Sequence, residues 1–446
     1  MPVMTAALVL LSFVTPLATD MYLPAFPQMT GDLGADASGV QLTLTTFLIG
    51  MGIGQLILGP LSDRFGRRMP ILVGSAACVV TTALCALAPS LGPLVALRFL
   101  QGFTGAAGVV IGRAVISDYA VGEKAAKLLG VMMSLLGVAP AIAPVLGGVV
   151  IEAAGWRAVF WVLAAITLLA LVAAAFAVPE TLPRERRQTG GVRATVRSVR
   201  DVLTNRPYMG YTLCFGMALA VLFCYLGGAS FLFQNLLGLS VGQTSAVFAS
   251  VGAVSVVSGL VITRLVGRFT PKGLLRTGLW VMLAGSVALF AVALADRLAL
   301  PLVLALLYLA FVGISLVTIN AAALAFERVP HAAGTGSALL GTVQSILSAI
   351  AAPLVGLGGT HTAVPMFAGM TVSAVLAFLV LSLFSPAPGP RIQAHHPASS
   401  HPHQPTDPSP NRPPRTAPAH LALPPRPPRH QQQRSDRHDR HDHDQG

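Results

Sequence analysis

Charge is what this chain has least of. Asp, Glu, Lys and Arg make up 10% of its 446 residues, against roughly 25% in an ordinary soluble domain. That deficit, together with 54% hydrophobic residues, excludes a soluble globular protein and leaves an integral membrane protein. Cysteine is scarce too. All four, Cys78, Cys85, Cys214 and Cys224, lie in apolar runs. Cys78 and Cys85 sit seven residues apart on one helix and cannot bridge, so the four read as reduced packing residues. The sequence has no Gly-x-Ser-x-Gly elbow, no phosphate loop and no His/Asp/Glu metal cluster in its spans. An enzyme and an ATP-driven pump therefore have no residues to stand on. No cofactor and no metal are expected.

Long apolar stretches are what the chain does have. A spanning helix needs about 20 predominantly apolar residues. Twelve segments qualify, near 4–25, 42–62, 70–88, 93–115, 128–151, 157–178, 208–234, 244–265, 274–295, 299–321, 336–357 and 363–384. The first is full length and is followed by more spans, so it reads as an uncleaved helix rather than a signal peptide. Its abrupt start leaves a longer natural N-terminus open.

The net charge of +12 would suit nucleic acid if it formed one patch. It does not. With the N-terminus inside, the inner loops hold Arg64, Arg67, Arg68, Arg113, Lys124, Lys127, the run from Arg184 to Arg206, Arg264, Arg268, Lys272, Arg276 and Arg328. The outer loops hold Arg157 and Arg297. This bias places both termini in the cytoplasm. The excess charge is topology and contact with membrane lipid headgroups, and no nucleic-acid partner is expected.

The Arg-rich loop from Pro179 to Pro207 divides six spans from six. Arg64-Phe65-Gly66-Arg67 after the second span lines up with Leu265-Val266-Gly267-Arg268 after the eighth, with Asp63 replaced by Arg264. The expected fold is therefore all-α and integral to the membrane: twelve transmembrane helices in two pseudo-symmetric six-helix bundles, with the site at the midplane between them. The expected units are 1–180, a cytoplasmic linker at 181–207, 208–384, and a Pro/His/Arg-rich tail at 385–446 that buries too little to fold.

Within this frame the informative residues are the misfits. Asp20, in Thr19-Asp20-Met21-Tyr22-Leu23-Pro24, sits inside the first span. An acid there costs roughly 2.5–3.5 kcal/mol on insertion scales and is normally kept for an ion path, a proton relay or a substrate contact. A structural role, with the carboxylate satisfied by Thr19 or Tyr22, is the alternative. Arg98 is the one basic residue deep in a span. Helical rise puts Asp20 and Arg98 at similar depths, roughly 9 Å and 8 Å below the outer ends of their helices. The two are expected to meet or to share a water-filled cavity, and Asp20 is expected to carry the proton with Arg98 modulating it. Snorkelling of Arg98 to the interface is the alternative.

At the inner end of the second span runs Gly59-Pro60-Leu61-Ser62-Asp63-Arg64-Phe65-Gly66-Arg67-Arg68. An acid bracketed by glycines within three arginines is more than a positive-inside anchor, and Arg113 with Asp118 lies at the neighbouring helix end. Gly137-Val138-Ala139-Pro140-Ala141-Ile142-Ala143-Pro144-Val145-Leu146-Gly147-Gly148 makes a bent, closely packing fifth span. Trp156, Arg157, Phe160 and Trp161 read as an interfacial aromatic belt. The second half offers Tyr225, Gln234, Asn320 and Gln344. With Met21, Tyr22, Gln101 and Phe223 they would line a cavity for a neutral or weakly polar organic molecule.

Residues 4–384 resemble the twelve-helix drug:proton antiporters of the major facilitator superfamily. The resemblance rests on Asp20-Met21-Tyr22-Leu23-Pro24, the loop at 59–68, Arg98 with Gln101-Gly102, and Ala143-Pro144 with Gly147-Gly148. Ala143 departs from the glycine usual before that proline. The Thr-Asp-Met-Tyr-Leu-Pro stretch resembles the bicyclomycin/chloramphenicol-resistance (Bcr/CflA) subfamily. The resemblance implies a cytoplasmic gate at Gly59, Asp63, Arg64, Gly66, Arg67, Arg68 and Arg113. It also implies an antiporter-type helix with Gly137, Pro140, Pro144, Gly147 and Gly148. It further implies a monomeric multidrug exporter of the bacterial inner membrane, driven by the proton gradient and handling small-molecule substrate and protons. Export of a natural metabolite, such as an amino acid, a short peptide or a self-made antibiotic, and a non-transporting membrane sensor stand as alternatives.

Overall fold

The computed structural model describes residues 2–119, 123–183, 185, 187, 199–265, 268–330 and 333–384. The expected tail at 385–446 and the middle of the linker, including 188–198, lie outside the described residues. The rest is a bundle of long helices: α1 (Pro2–Asp20), α2 (Phe26–Leu33), α3 (Ala37–Phe65), α4 (Arg68–Ala86), α5 (Leu91–Tyr119), α6 (Glu123–Ala177), α7 (Arg206–Phe231), α8 (Val241–Leu265), α9 (Pro271–Leu294), α10 (Leu300–Phe326), α11 (Ala333–Leu354) and α12 (Val364–Phe384).

Two features convert this series into twelve spans. First, α1, a 3-10 turn at Leu23–Ala25 and α2 form one crossing of 30 residues, Met4–Leu33. Pro24 and Pro27 remove backbone donors there and break the regular ladder. This span runs eight residues past the expected end at 25. Second, α6 is two crossings joined at Gly155, whose φ of 76° falls in the left-handed region. Elsewhere side chains start the helices. Asp36 accepts from the Gly39 N–H at 2.7 Å, Asn205 from that of Tyr208 at 3.1 Å, and Thr270 from that of Gly273 at 3.2 Å.

In the first half α3 packs along α5, α1 along α6, and α4 against α5 and α6. In the second half α9 packs along α10, and α12 against α7 and α9. The halves meet along α3 with α11 and α6 with α8, the second and eleventh crossings and the fifth and eighth. This is the arrangement the internal repeat requires.

Large apolar side chains such as Phe176, Leu383 and Val149 face outward, as lipid-facing residues do. The aromatic belt is only partly so. Trp161 is exposed, but Trp156 is buried and donates its indole N–H to Asp32 at 2.9 Å. Phe160, one helical turn on, points inward to the site described next.

Candidate functional site

Arg98 is fully buried on α5, in the interior of the first half. Its guanidinium carbon lies 4.3 Å from the ring centroid of Tyr22, 4.4 Å from that of Phe47 and 5.7 Å from that of Phe160. Three aromatic faces from three crossings thus take the place of water around the cation. The polar edge of the group is used as well. Nη1 donates to the Gln101 side-chain carbonyl at 2.6 Å, and Nε donates to the Thr43 carbonyl at 3.3 Å. Gln101 in turn donates to the Thr82 hydroxyl on α4 at 2.9 Å, and the Tyr22 and Thr43 hydroxyls lie 3.2 Å apart. Nη2 is buried without a partner. Arg98 does not snorkel; it is the hub of a network joining the first four crossings.

Asp20 is buried, 5% exposed, at the last residue of α1. Among the described residues no ion pair joins it to Arg98. Facing direction is one physical reason: about 100° of helical rotation per residue puts Asp20 and Tyr22 on opposite sides of their turn, and Tyr22 is the one that faces Arg98.

The turn carrying Asp20 is held from behind by α6. A side-chain carbon added to Gly147 would collide with the Met21 carbonyl, so the two backbones touch at this level. The adjacent Gly148 packs against Ser245 of α8 in the other half. Pro140, at the backbone of which Gly252 of α8 also packs, lies on the same seam. Pro144 is inside the same helix, and so is Gly137, whose surroundings lie outside the described residues.

The remaining cavity candidates fall in several places. Gln234 donates to the Pro24 carbonyl at 2.7 Å across the halves. It acts beside Ser230, which donates to Leu23 at 2.6 Å, and Gln41, which donates to Gly227 at 2.8 Å. Tyr225 is buried edge-on to Phe248 and Phe311, with its hydroxyl unpartnered. Phe223 is buried on α7, and Asn320 donates to the Leu316 carbonyl of its own helix at 2.8 Å. Gln344 is half-buried on α11.

The Arg-rich end is a second network. Arg67 pairs with Asp63 and, at 2.8 Å, with Asp118 of α5, and donates to the Ser62 hydroxyl at 2.7 Å. Glu180, just past α6, accepts from the backbone N–H of Arg67 at 2.8 Å and of Arg68 at 3.3 Å, and pairs with Arg187 at 3.6 Å. Gly66 turns the chain with a φ of 94° where any side chain would strike that carboxylate. Partial burial works against the charged form of Glu180. Backbone N–H groups of Arg67, Leu182 and Arg68, with Arg187 nearby, outweigh it and hold the carboxyl below its ordinary 4.5. Gly59 packs on Val110, Arg64 is exposed over the Phe65 ring, and the Arg68 side chain donates to the Ala175 carbonyl. Arg113 stands apart and reaches Ser337 of α11.

Phe47, Thr43, Phe160 and Glu180 are the residues sequence reasoning missed. Phe160 follows Trp156 by one helical turn, which marks a shared face but not that the face points inward.

The Major Facilitator Superfamily model matches residues 8–353. The chain belongs to the Major Facilitator Superfamily. A Bacillus subtilis protein called an uncharacterized MFS-type transporter, YdgK, is 38% identical over 83% of this chain and 92% of its own length. A bicyclomycin resistance protein homolog of Haemophilus influenzae is 31% identical over 83% and 93%, and a chloramphenicol resistance protein of Pseudomonas aeruginosa is 33% identical over 88% and 94%. The Haemophilus influenzae and Pseudomonas aeruginosa relatives carry the names of the subfamily that the Thr-Asp-Met-Tyr-Leu-Pro stretch resembles. Among solved structures, the xylose transporter XylE from E. coli, in a partially occluded inward open conformation, shares the fold. It gives a TM-score of 0.67 at 15% identity over 86% of this chain and 97% of that one. This superfamily member is thus a multi-pass membrane transporter with the superfamily's two-bundle fold.

Proposed function

We propose that this transporter exports small, largely apolar drugs or antibiotics across the bacterial cytoplasmic membrane in exchange for protons. It would act as a monomer, with both termini on the cytoplasmic side, and the proton gradient would be its energy source with no cofactor. The observation that carries this reading is Asp20: a buried carboxyl without an ion pair among the described residues, at a break in the first crossing, against the glycine seam of α6. Such a group is expensive as an ion when sealed in apolar surroundings and inexpensive when water reaches it. Alternate exposure of the turn at 20–22 would therefore alternate its proton occupancy. Arg98 would keep Tyr22 and that turn in place. The drug-resistance names of the relatives support the cargo class. The bias of Arg and Lys towards one end supports the orientation.

The test is flux in proteoliposomes with an imposed pH gradient. A panel of neutral antibiotics should move against its own gradient, together with measurable counterflow of protons. Flux that ignores the pH gradient would contradict the reading.

A further inference from the structure

Arg113 is the charged group that neither network absorbs. It lies fifteen residues beyond Arg98 on α5, roughly 22 Å nearer the Arg-rich end. Its Nη1 reaches the Ser337 hydroxyl at 3.5 Å. Because Ser337 belongs to α11, the side chain spans the gap between the halves. Its Nε is buried with no partner, and no carboxylate lies within ion-pairing distance among the described residues.

Three acids at the Arg-rich end are committed elsewhere. Asp63 and Asp118 hold the Arg67 side chain, and Glu180 holds the backbone of Arg67 and Arg68 and the side chain of Arg187. Arg113 as a whole is half-buried, but a guanidinium whose buried Nε has neither hydrogen-bond partner nor counter-ion carries a free-energy cost that an arriving anion removes. A second feature has the same sign. The helix α11 starts at Ala333, four residues before Ser337, so its first-turn N–H groups add partial positive charge opposite Arg113. Beside Gly334, in that turn, there is open space.

We propose that Arg113 and the first turn of α11 form an oxyanion-receiving site between the halves, so that the transporter accepts neutral or acidic cargo and rejects cations. An acidic cargo would set its carboxylate on the free edge of the Arg113 guanidinium as it enters from the Arg-rich side. The inference rests on the export reading and narrows its cargo class. An anionic lipid headgroup offers the same chemistry and is separated in the test.

The test uses the purified full-length chain and equilibrium dialysis, so it needs no transport. The probes are chloramphenicol, its succinate half-ester, which adds one carboxylate to the same ring system, and tetraphenylphosphonium. The wild type should bind the half-ester at least as well as the parent and should bind the cation least. Arg113→Gln should weaken the half-ester about tenfold, the scale of a lost charge-assisted hydrogen bond, and shift the parent less than about twofold. Arg113→Lys should recover most of the loss. Arg276→Gln, which removes an exposed charge at the same end, should change nothing. Equal loss for parent and half-ester in Arg113→Gln, or no half-ester binding to the wild type, would overturn the proposal. So would half-ester binding in phosphatidylcholine vesicles that is suppressed by added phosphatidylglycerol in the wild type but not in Arg113→Gln, because the headgroup would then own the site. If chloramphenicol shows no proton-linked flux while the half-ester contrast holds, the export reading fails and the anion site stands.

Discussion

The guanidinium of Arg98 rests on the ring of Tyr22, 4.3 Å from its centroid, and Tyr22 follows Asp20 by two residues. The cation therefore fixes the turn that carries the acid without touching the acid itself. A desolvated cation–π contact is worth about 2 kcal/mol. Tyr22→Leu should remove that much stability. Tyr22→Phe, which loses only the contact with the Thr43 hydroxyl, should lose about 1 kcal/mol. Cys78, Cys85, Cys214 and Cys224 are all buried, so a thiol-reactive dye followed during heating reports both losses directly.

Gln101 accepts from Arg98 and donates to Thr82, and so ties α5 to α4. Gln101→Leu would leave a buried guanidinium nitrogen unpaired. The expected destabilisation is about 1.5–3 kcal/mol, read by the same dye. Gln101→Glu keeps the acceptor and should be markedly milder.

Ser230, Gln234 and Gln41 strap the two halves together through carbonyls of the opposite half. The break in the first crossing supplies two of the three acceptors, Leu23 and Pro24. Each net hydrogen bond is worth about 1 kcal/mol, a factor of about five. Ser230→Ala with Gln234→Leu should therefore favour separation at this end by roughly twenty-fold. Faster amide hydrogen exchange at 227–236 is the expected signature, with exchange at 63–68 unchanged.

Glu180 makes a pH-dependent statement about the Arg-rich end. Its folded-state pKa is depressed below 4.5, so its stabilisation is fully present above that value. The stabilisation is lost as pH falls through the lower folded value. Exchange at the Arg67 and Arg68 amides, compared with a remote reference amide, should rise on acidification below about pH 4. Glu180→Gln should show that loosened state already at neutral pH.

Much of this was legible in the chain because apolar run length and loop charge are direct consequences of the bilayer. Twelve crossings, the repeat and the second-crossing loop follow from them. The boundary that failed was one set by backbone irregularity. Pro24 and Pro27 mark a break but do not say that the crossing resumes to Leu33, whereas Gly155 falls between the expected spans at 128–151 and 157–178. The sequence expects Asp20 and Arg98 to meet or to share a water-filled cavity; among the described residues no ion pair joins them, and Tyr22 makes the contact with Arg98. Facing direction was the other gap. Phe160 and Trp156 carry the composition of an interfacial belt, and only tertiary packing turns them towards Arg98 and Asp32. The role of Glu180 needed the ends of α4, α5 and α6 to converge, and local sequence does not encode that convergence.

The most direct measurement concerns Asp20. Asp20→Asn keeps the shape of the side chain and removes its titration. In proteoliposomes with an imposed pH gradient, the account predicts that this variant still binds cargo and equilibrates it down its own gradient, but no longer concentrates it at the expense of the proton gradient. Undiminished uphill export by Asp20→Asn, with the same pH dependence as the wild type, would contradict it.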